Sequence, residues 1–161
     1  EVPSDWKTYK NKEYGFEIKY PRGSDIKEKD NVLRVDFPIE FPSKVCEKYM
    51  TITIEKNTEG CFENAPTPLK GKILINNIEF HTGKWGNCMD IEEYSCCNHY
   101  EYYYTIKNKK CYQLVFGLVR WNEKCKIDPH IPLTRSEFLE ESRIFSQILS
   151  SFRFIETDKN R

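Results

Sequence analysis

Hydrophobic and polar residues alternate in several short segments of this chain, a period of two that is typical of half-buried β-strands. The clearest example is residues 15–20, where apolar and charged side chains alternate and Pro21 ends the pattern. Residues 57–68 are rich in Asn, Thr, Gly and Pro and are predicted to form a loop. Further strands are predicted at residues 32–37, 49–56, 72–75 and 78–85.

A β-hairpin is the most sharply defined element of the sequence. It joins residues 99–106 to residues 111–121, with Asn108 and Lys109 as a two-residue turn. The pairs that this turn implies are Tyr104 with Gln113, Tyr102 with Val115, and Tyr100 with Gly117. Both faces of the hairpin are largely apolar or aromatic, so we expect layers packed against both faces of its sheet.

One helix is predicted over residues 134–151. Thr134 and Glu137 have the spacing of a capping box, the pattern that opens many helices. An apolar stripe follows at helical spacing, and we interpret it as the face that packs on the core. The residues of this stripe are Phe138, Phe145, Ile148, Leu149 and Phe152.

The length of the chain fits a single domain. We expect this domain over residues 9–155, preceded by an N-terminal extension at residues 1–8 and followed by a polar tail at residues 156–161. Glu1 is the first residue, and no apolar stretch typical of a secretion signal follows it. The chain is therefore expected to start after a segment that has been removed or omitted.

Charge and hydropathy argue against a nucleic-acid partner and against a membrane-spanning segment. The 161 residues include 25 basic and 25 acidic ones, and each half of the chain is also close to neutral. Because binding to nucleic acid needs a surplus of Lys and Arg on one face, no nucleic-acid partner is expected. The longest uncharged apolar run, residues 114–119, is far shorter than the ~20 residues of a membrane-spanning helix, so no membrane-spanning segment is expected.

Seven cysteines indicate disulfide chemistry. Zinc is the alternative, but the chain has no Cys-x-x-Cys motif, and His81, His99 and His130 are far apart in sequence. Because disulfides persist in oxidising compartments, we predict a location outside the cytoplasm. No metal and no cofactor is expected.

Three disulfides and one free thiol would account for the seven cysteines. A Cys46–Cys61 bridge would tie the loop after the third strand to the start of that strand. Cys88 and Cys125 would each pair with one of the two neighbouring cysteines, Cys96 and Cys97. The two arrangements are Cys88–Cys97 with Cys96–Cys125, or the same bridges with Cys96 and Cys97 exchanged. Cys111 would remain a buried free thiol, which behaves as a small apolar side chain.

Aromatic residues concentrate on the predicted hairpin and the strand before it. Tyrosine and tryptophan combine a large contact area with a polar group and are frequent in binding hot spots. They define a candidate binding face made of Trp85, His99, Tyr100, Tyr102, Tyr104 and Trp121. A buried core is the alternative interpretation of the same residues.

No known catalytic motif is present, because the chain lacks a Gly-x-Ser-x-Gly elbow, a phosphate-binding Gly-rich loop and a His-Glu-x-x-His sequence. An enzyme of unfamiliar type remains the alternative, for example a hydrolase. It would use His81 and His99, or the loop carboxylates Asp90, Glu92 and Glu93.

Three segments of this sequence resemble one known family. They are the opening at residues 14–21, Tyr-Gly-Phe-Glu-Ile-Lys-Tyr-Pro; the strand at residues 110–114, Lys-Cys-Tyr-Gln-Leu; and the closing segment at residues 148–154, Ile-Leu-Ser-Ser-Phe-Arg-Phe. They are similar to the PsbP-like domains of predicted bacterial lipoproteins and secreted proteins. Plant members are extrinsic subunits of photosystem II, and a related fold in eukaryotic nuclear import binds the GTPase Ran.

The resemblance covers residues 6–155 and implies an α+β fold, an antiparallel β-sheet flanked by helices on both faces in an α/β/α sandwich. It implies no conserved chemistry across the family. No Ran-binding or photosystem-docking motif is visible in this chain, and the many cysteines argue against a photosynthetic role.

We therefore expect a non-catalytic binding domain outside the cytoplasm, secreted or part of a bacterial surface lipoprotein with a lipid anchor upstream of Glu1. Its partner would be a protein or another component of the cell envelope, and the chain itself is expected to be a monomer. A structural spacer in an envelope protein is a further alternative.

Overall fold

A seven-stranded antiparallel sheet forms the centre of the molecule. The computed structural model describes residues 1–39, 43–86, 98–120 and 133–156. In chain order, the elements of these residues are β1 (Lys7–Asn11), β2 (Phe16–Tyr20), β3 (Asp25–Lys29), β4 (Val32–Asp36), β5 (Glu47–Glu55), β6 (Gly71–Ile75), β7 (Ile78–Gly86), β8 (Asn98–Lys107), β9 (Lys110–Val119), α1 (Arg135–Ser151) and β10 (Arg153–Phe154).

The strands of the large sheet lie in the order β3-β4-β5-β9-β8-β7-β6, so its edges are β3 and β6. A small sheet of order β1-β2-β10 packs on one side of it. Strand β3 was not predicted from the sequence, so its hairpin with the predicted strand β4 was missed. Strand β1 was not predicted either. The remaining predicted strands are present close to their expected positions.

The predicted hairpin is confirmed in its register. Strands β8 and β9 pair Tyr104 with Gln113 and Tyr102 with Val115. Asn108 and Lys109 form the turn with φ of 51° and 58°. Two successive left-handed residues are characteristic of the type I′ turn, whose twist matches that of the strands it joins.

The predicted helix is confirmed with its capping box. Thr134 is the N-cap residue of α1. The backbone N–H of Thr134 donates to Glu137 Oε2 at 2.8 Å, and the Glu137 N–H donates to Thr134 Oγ1 at 3.3 Å. Phe145, Ile148 and Leu149 of the apolar stripe are buried.

The main core lies between the small sheet, α1 and one face of the large sheet, which we call the core face. Aromatic rings dominate it: Phe16 stacks on Phe152 at 5.8 Å between centroids, and Phe116 of β9 contacts Phe145 of α1 at 5.1 Å. The opening and closing segments of the chain thus meet in this core, since β10 pairs with β2.

The opposite face of the large sheet, the outer face, has a different cover. The loop between β5 and β6 folds over part of it, and a second apolar cluster forms there from Cys61, Tyr102, Tyr104 and Cys111. In the described residues α1 is the single helix, and it packs on the core face. The expected sandwich with helices on both faces is therefore not found in these residues. Side chains of the β5–β6 loop, rather than a helix, cover this part of the outer face.

The described disulfide corrects the predicted pairing. Cys61 is bonded to Cys111, with 5.8 Å between their Cα atoms. A Cys46–Cys61 bridge and a free Cys111 are therefore wrong. Cys46 is also disulfide-bonded, to a partner other than Cys61. The pairings predicted for Cys88, Cys96, Cys97 and Cys125 lie outside the described residues.

The physical reason for this correction is the register of β5 on β9. Cys111 pairs with Glu55, the last residue of β5. The loop that leaves Glu55 turns back over the outer face and brings Cys61 above Cys111. The disulfide thus fastens the loop to the sheet.

Within the described residues, no helix is long and apolar enough to span a lipid bilayer.

Candidate interaction surface

Aromatic side chains form a row on the outer face, perpendicular to the strands. Tyr49 of β5 pairs with Gly117 of β9, Gly117 pairs with Tyr100 of β8, and Tyr100 pairs with Trp85 of β7. Directly paired residues of antiparallel strands point to the same face, so these side chains are neighbours. We call Tyr49, Tyr100 and Trp85 the aromatic strip.

Gly117 shapes the middle of the aromatic strip. A Cβ atom at Gly117 would lie 2.5 Å from Cζ of Tyr49, so the tyrosine ring occupies the space that a side chain would need. Tyr49 leans across β9 in this way toward Tyr100. Burial raises the pKa of Tyr49 to about 12, and the neighbouring Tyr100 hydroxyl contributes to the same shift.

Trp85 is the most accessible ring of the strip. Its side chain is 49% exposed, although it lies beside Tyr100 at 5.4 Å between ring centroids. Tyr100 in turn contacts Tyr102 at 6.5 Å. Large apolar rings that remain exposed on a pleated sheet offer contact area at little cost in side-chain entropy.

Charged side chains border the other end of the strip. The guanidinium of Arg34 lies 4.0 Å from the centroid of the Tyr49 ring, in cation–π geometry. Arg34 Nε donates to Asp36 Oδ1 at 2.7 Å, and Arg34 Nη2 donates to Glu47 Oε2 at 3.2 Å. These ion pairs hold the guanidinium in place. The surface thus runs from an exposed indole to a fixed arginine.

The candidate binding face predicted from sequence is brought together only in part. Trp85, Tyr100, Tyr102 and Tyr104 share the outer face. Tyr104 is only 2% exposed because it belongs to the cluster beneath the β5–β6 loop, and Tyr102 is also buried. Trp121 lies outside the described residues.

His99 is on the opposite face. It pairs with Leu118 and packs against Phe138 of α1 at 4.8 Å between ring centroids. The alternation of β8 places odd-numbered residues 99–105 on the core face. His99 is therefore not part of the aromatic strip, which corrects its place in the predicted face.

Sequence reasoning missed Tyr49 and Arg34. Both lie on strands that were predicted, but no local pattern says that β5 pairs with β9 or β4 with β5. The available signal was Gly117, a glycine inside an apolar strand, which often marks a close approach of another group.

Glu101 lies in a buried polar cluster on the core face, and its pKa is strongly shifted. Glu101 Oε1 accepts from Lys84 Nζ at 2.9 Å and lies 3.2 Å from His99 Nε2, while Oε2 accepts from Tyr103 Oη at 2.6 Å. Burial alone would raise the pKa of Glu101. The hydrogen bonds from His99, Tyr103 and Lys84 outweigh burial and lower it to about 2. Each carboxylate oxygen is thus occupied by protein donors.

The two histidines of the hydrolase alternative cannot act together. His81 pairs with Tyr104 on the outer face, whereas His99 is on the core face. His81 stacks on Phe62 at 4.1 Å between ring centroids and borders an open depression of about 400 Å³. The carboxylates Asp90, Glu92 and Glu93 lie outside the described residues. Among the described residues, no group of three His, Cys, Asp or Glu side chains could hold a metal ion.

Comparison with known proteins identifies the fold. No protein-family model and no curated protein matches this sequence. A crystal structure from Bacteroides thetaiotaomicron is similar with a TM-score of 0.57 and 7% identity, over 94% of this chain and 49% of that one. This chain thus spans about half the length of the Bacteroides protein.

A second similar structure is the solution structure of cyanobacterial PsbP from Synechocystis. It has a TM-score of 0.54 and 12% identity, and 94% of each chain is covered. At such low identity the likeness establishes a fold and no function. The chain has a PsbP-like fold, as the resemblance of its opening, central and closing segments predicted.

Proposed function

We propose that this PsbP-like chain is a non-catalytic interaction domain that works outside the cytoplasm and binds another macromolecule of the cell envelope through the aromatic strip. The observation that carries the proposal is the row of Tyr49, Tyr100 and exposed Trp85, bordered by Arg34. Tryptophan, tyrosine and arginine are the residue types most enriched in binding hot spots.

The chemistry of the described residues supports binding rather than turnover. Glu101, whose pKa is lowered, is buried on the core face, and its oxygens are occupied by protein donors. The depression beside His81 lies at the end of the large sheet, between the β6–β7 turn and the last residues of β8, and Glu101 does not line it. The carboxylate of the depression, Glu79, is exposed, and Lys72 and His81 beside it lower its pKa. Catalytic sites usually combine a deep, enclosed pocket with perturbed titratable groups, and an open depression lined by an exposed, ion-paired carboxylate differs from that arrangement.

The disulfides support an oxidising location. Cys61 and Cys111 are bonded and Cys46 is bonded as well, and such bonds persist mainly in secreted and envelope proteins. The lipid tether expected from the family resemblance is part of this proposal. Alkylation of free thiols in cells before lysis tests the location: six reactive thiols or more would contradict it, given the seven cysteines of the chain.

Affinity capture tests the binding surface. The purified chain is immobilised and exposed to an envelope extract of the source organism, and the affinity of each recovered component is then measured with purified material. Trp85→Ala should weaken binding about tenfold or more, as expected for a hot-spot residue. Leu139→Ala is the matched control, because Leu139 is an exposed apolar residue on α1. Equal affinity of both variants would refute the proposed surface.

A further inference from the structure

The two edges of the large sheet differ in chemistry. Edge strand β3 has the sequence Asp-Ile-Lys-Glu-Lys, and its charged side chains are largely exposed. Charged residues on an edge strand discourage pairing with other strands. Edge strand β6 has the sequence Gly-Lys-Ile-Leu-Ile and carries one charge. The β3 edge is therefore the better protected of the two, since Lys72 is the one charged residue of β6.

Strand β6 exposes apolar side chains that the core does not use. Leu74 is 70% exposed and Ile73 is 37% exposed. Leu74 is the most exposed large apolar residue in the described part of the chain. An exposed apolar edge strand is a template for adding another strand.

The backbone of β6 has hydrogen-bonding groups directed away from the sheet. Asn76 and Asn77 form a two-residue turn with φ of 50° and 61°, so Ile75 and Ile78 form the first hydrogen-bonded pair of the β6–β7 hairpin. Because such pairs alternate along an antiparallel ladder, Lys72 and Leu74 direct their N–H and C=O groups outward. No described residue bonds these groups.

The edge is held rigidly in position. Asn76 Nδ2 donates to the carbonyl of Ser150 at 2.8 Å and to the carbonyl of Phe152 at 2.9 Å. These bonds fasten the hairpin turn to the C-terminal end of α1. A strand that is fixed before binding loses little conformational entropy when a partner pairs with it.

We infer that the β6 edge is a self-association surface, where the β6 strand of a second copy of this chain pairs antiparallel about a two-fold axis. A row of alternating backbone donors and acceptors is satisfied only by another extended polypeptide, which identifies the class of partner. A second copy of this chain fits that class, because β6 is complementary in charge to itself.

This complementarity follows from the register centred on Ile73. Ile73 then lies opposite Ile73 of the second copy, and Lys72 lies opposite Leu74 of the second copy. Lys72 already bonds Glu79 Oε1 at 2.9 Å on the outer face. No like charges face each other in this register, and like charges directly opposite would be destabilising. The two large sheets would form one continuous sheet across the axis.

The association is weak because β6 is short and contributes few backbone bonds, so it is expected in the micromolar to millimolar range. It replaces the monomer that the sequence led us to expect. It does not depend on the aromatic strip, because the strip lies on β5, β8 and β7. Trp85→Ala should therefore leave self-association unchanged, which separates a failure of this inference from a failure of the proposed function.

Sedimentation of the purified full chain over about 10 µM to about 1 mM tests the inference. The wild type should shift from monomer to dimer. Leu74→Lys, and Lys72→Pro, which removes an outward N–H group, should each weaken dimerisation about tenfold or more. Leu139→Lys is the matched control on α1, since Leu139 is 56% exposed, and it should dimerise like the wild type.

Amide hydrogen exchange provides the site-specific readout. The amides of Lys72 and Leu74 should become protected as the concentration rises, while the Ile73 amide, which faces β7, is protected throughout. A chain that stays monomeric over the whole range overturns the inference. So does a dimer that tolerates both Leu74→Lys and Lys72→Pro, or one that leaves the Lys72 and Leu74 amides unprotected.

Discussion

The ring of Tyr49 lies where the side chain of Gly117 would be. The two residues are directly paired between β5 and β9, and a Cβ atom at Gly117 would approach the Tyr49 ring carbons to 2.5 and 2.6 Å. The missing side chain lets Tyr49 cover the backbone of β9 and reach toward Tyr100. A glycine in a strand interior usually weakens a sheet. Here it allows the aromatic strip to be continuous.

Gly117→Ala should lower the free energy of unfolding by about 1–2 kcal/mol, because the new methyl group displaces the Tyr49 ring. Urea-induced unfolding measures the change. In a Tyr49→Ala background the same substitution should be neutral or stabilising by up to about 1 kcal/mol, since alanine suits a strand better than glycine once the ring is gone. The same loss of stability in both backgrounds would contradict the proposed contact.

Replacing both Cys61 and Cys111 by alanine should destabilise the chain by about 2–4 kcal/mol. The bond joins residues separated by 50 positions, and a long closed loop restricts the unfolded chain strongly. Urea-induced unfolding of the double variant measures the effect without opening the bond at Cys46, which a reductant would also cleave. A midpoint equal to that of the wild type would show that the bond adds no stability.

The Glu101 cluster predicts a specific dependence of stability on pH. The pKa of Glu101 in the folded chain is about 2, below its ordinary value of 4.5. Its ionised form therefore adds stability above pH 4.5, and this contribution is lost as the pH falls through about 2. The shift corresponds to about 3 kcal/mol.

Unfolding measured between pH 6 and pH 2 tests the cluster with Glu101→Gln. The wild type should be more stable than the variant at pH 6, and the difference should shrink toward pH 2. Glu140→Gln is the control, because Glu140 is exposed on α1. Parallel curves for wild type and Glu101→Gln would mean that the carboxylate is not held as described.

Thr134→Ala should lower stability by about 1 kcal/mol, the usual cost of losing an N-cap side chain. The Thr134 hydroxyl accepts the Glu137 N–H and so satisfies one free donor of the first turn of α1. Thermal unfolding followed by circular dichroism measures the loss. Ser146→Ala is the control, because Ser146 is an exposed residue inside α1, and its hydroxyl donates to the Arg143 carbonyl, away from the cap. An equal effect of both would argue against the capping box.

The candidate surface could be predicted from the sequence only where local alternation defined it. Tyr100, Tyr102 and Tyr104 fall on one face because side chains alternate along β8, and Trp85 joins them through a neighbouring strand. His99 was assigned to the wrong face because the prediction grouped aromatic residues by proximity in sequence. Tyr49 and Arg34 could not be found, since they reach the surface through pairings between segments distant in sequence.

The cysteines show the same limit. Cys46 and Cys61 flank one strand, which made their pairing attractive, whereas Cys61 bonds Cys111 across the outer face. A disulfide depends on the separation of two Cα atoms in space. That separation was set by the β5–β9 register and by the path of the loop over the sheet.

By itself, the sequence determined the hairpin turn at Asn108 and Lys109, the capped helix α1 and the short alternating strands, because turn residues, caps and side-chain periodicity act over a few positions. Only the tertiary structure decided which strands are neighbours, which face the loop covers, and which edge is left apolar. These features depend on contacts between distant segments, whose free energies come from burial and pairing that no local pattern records.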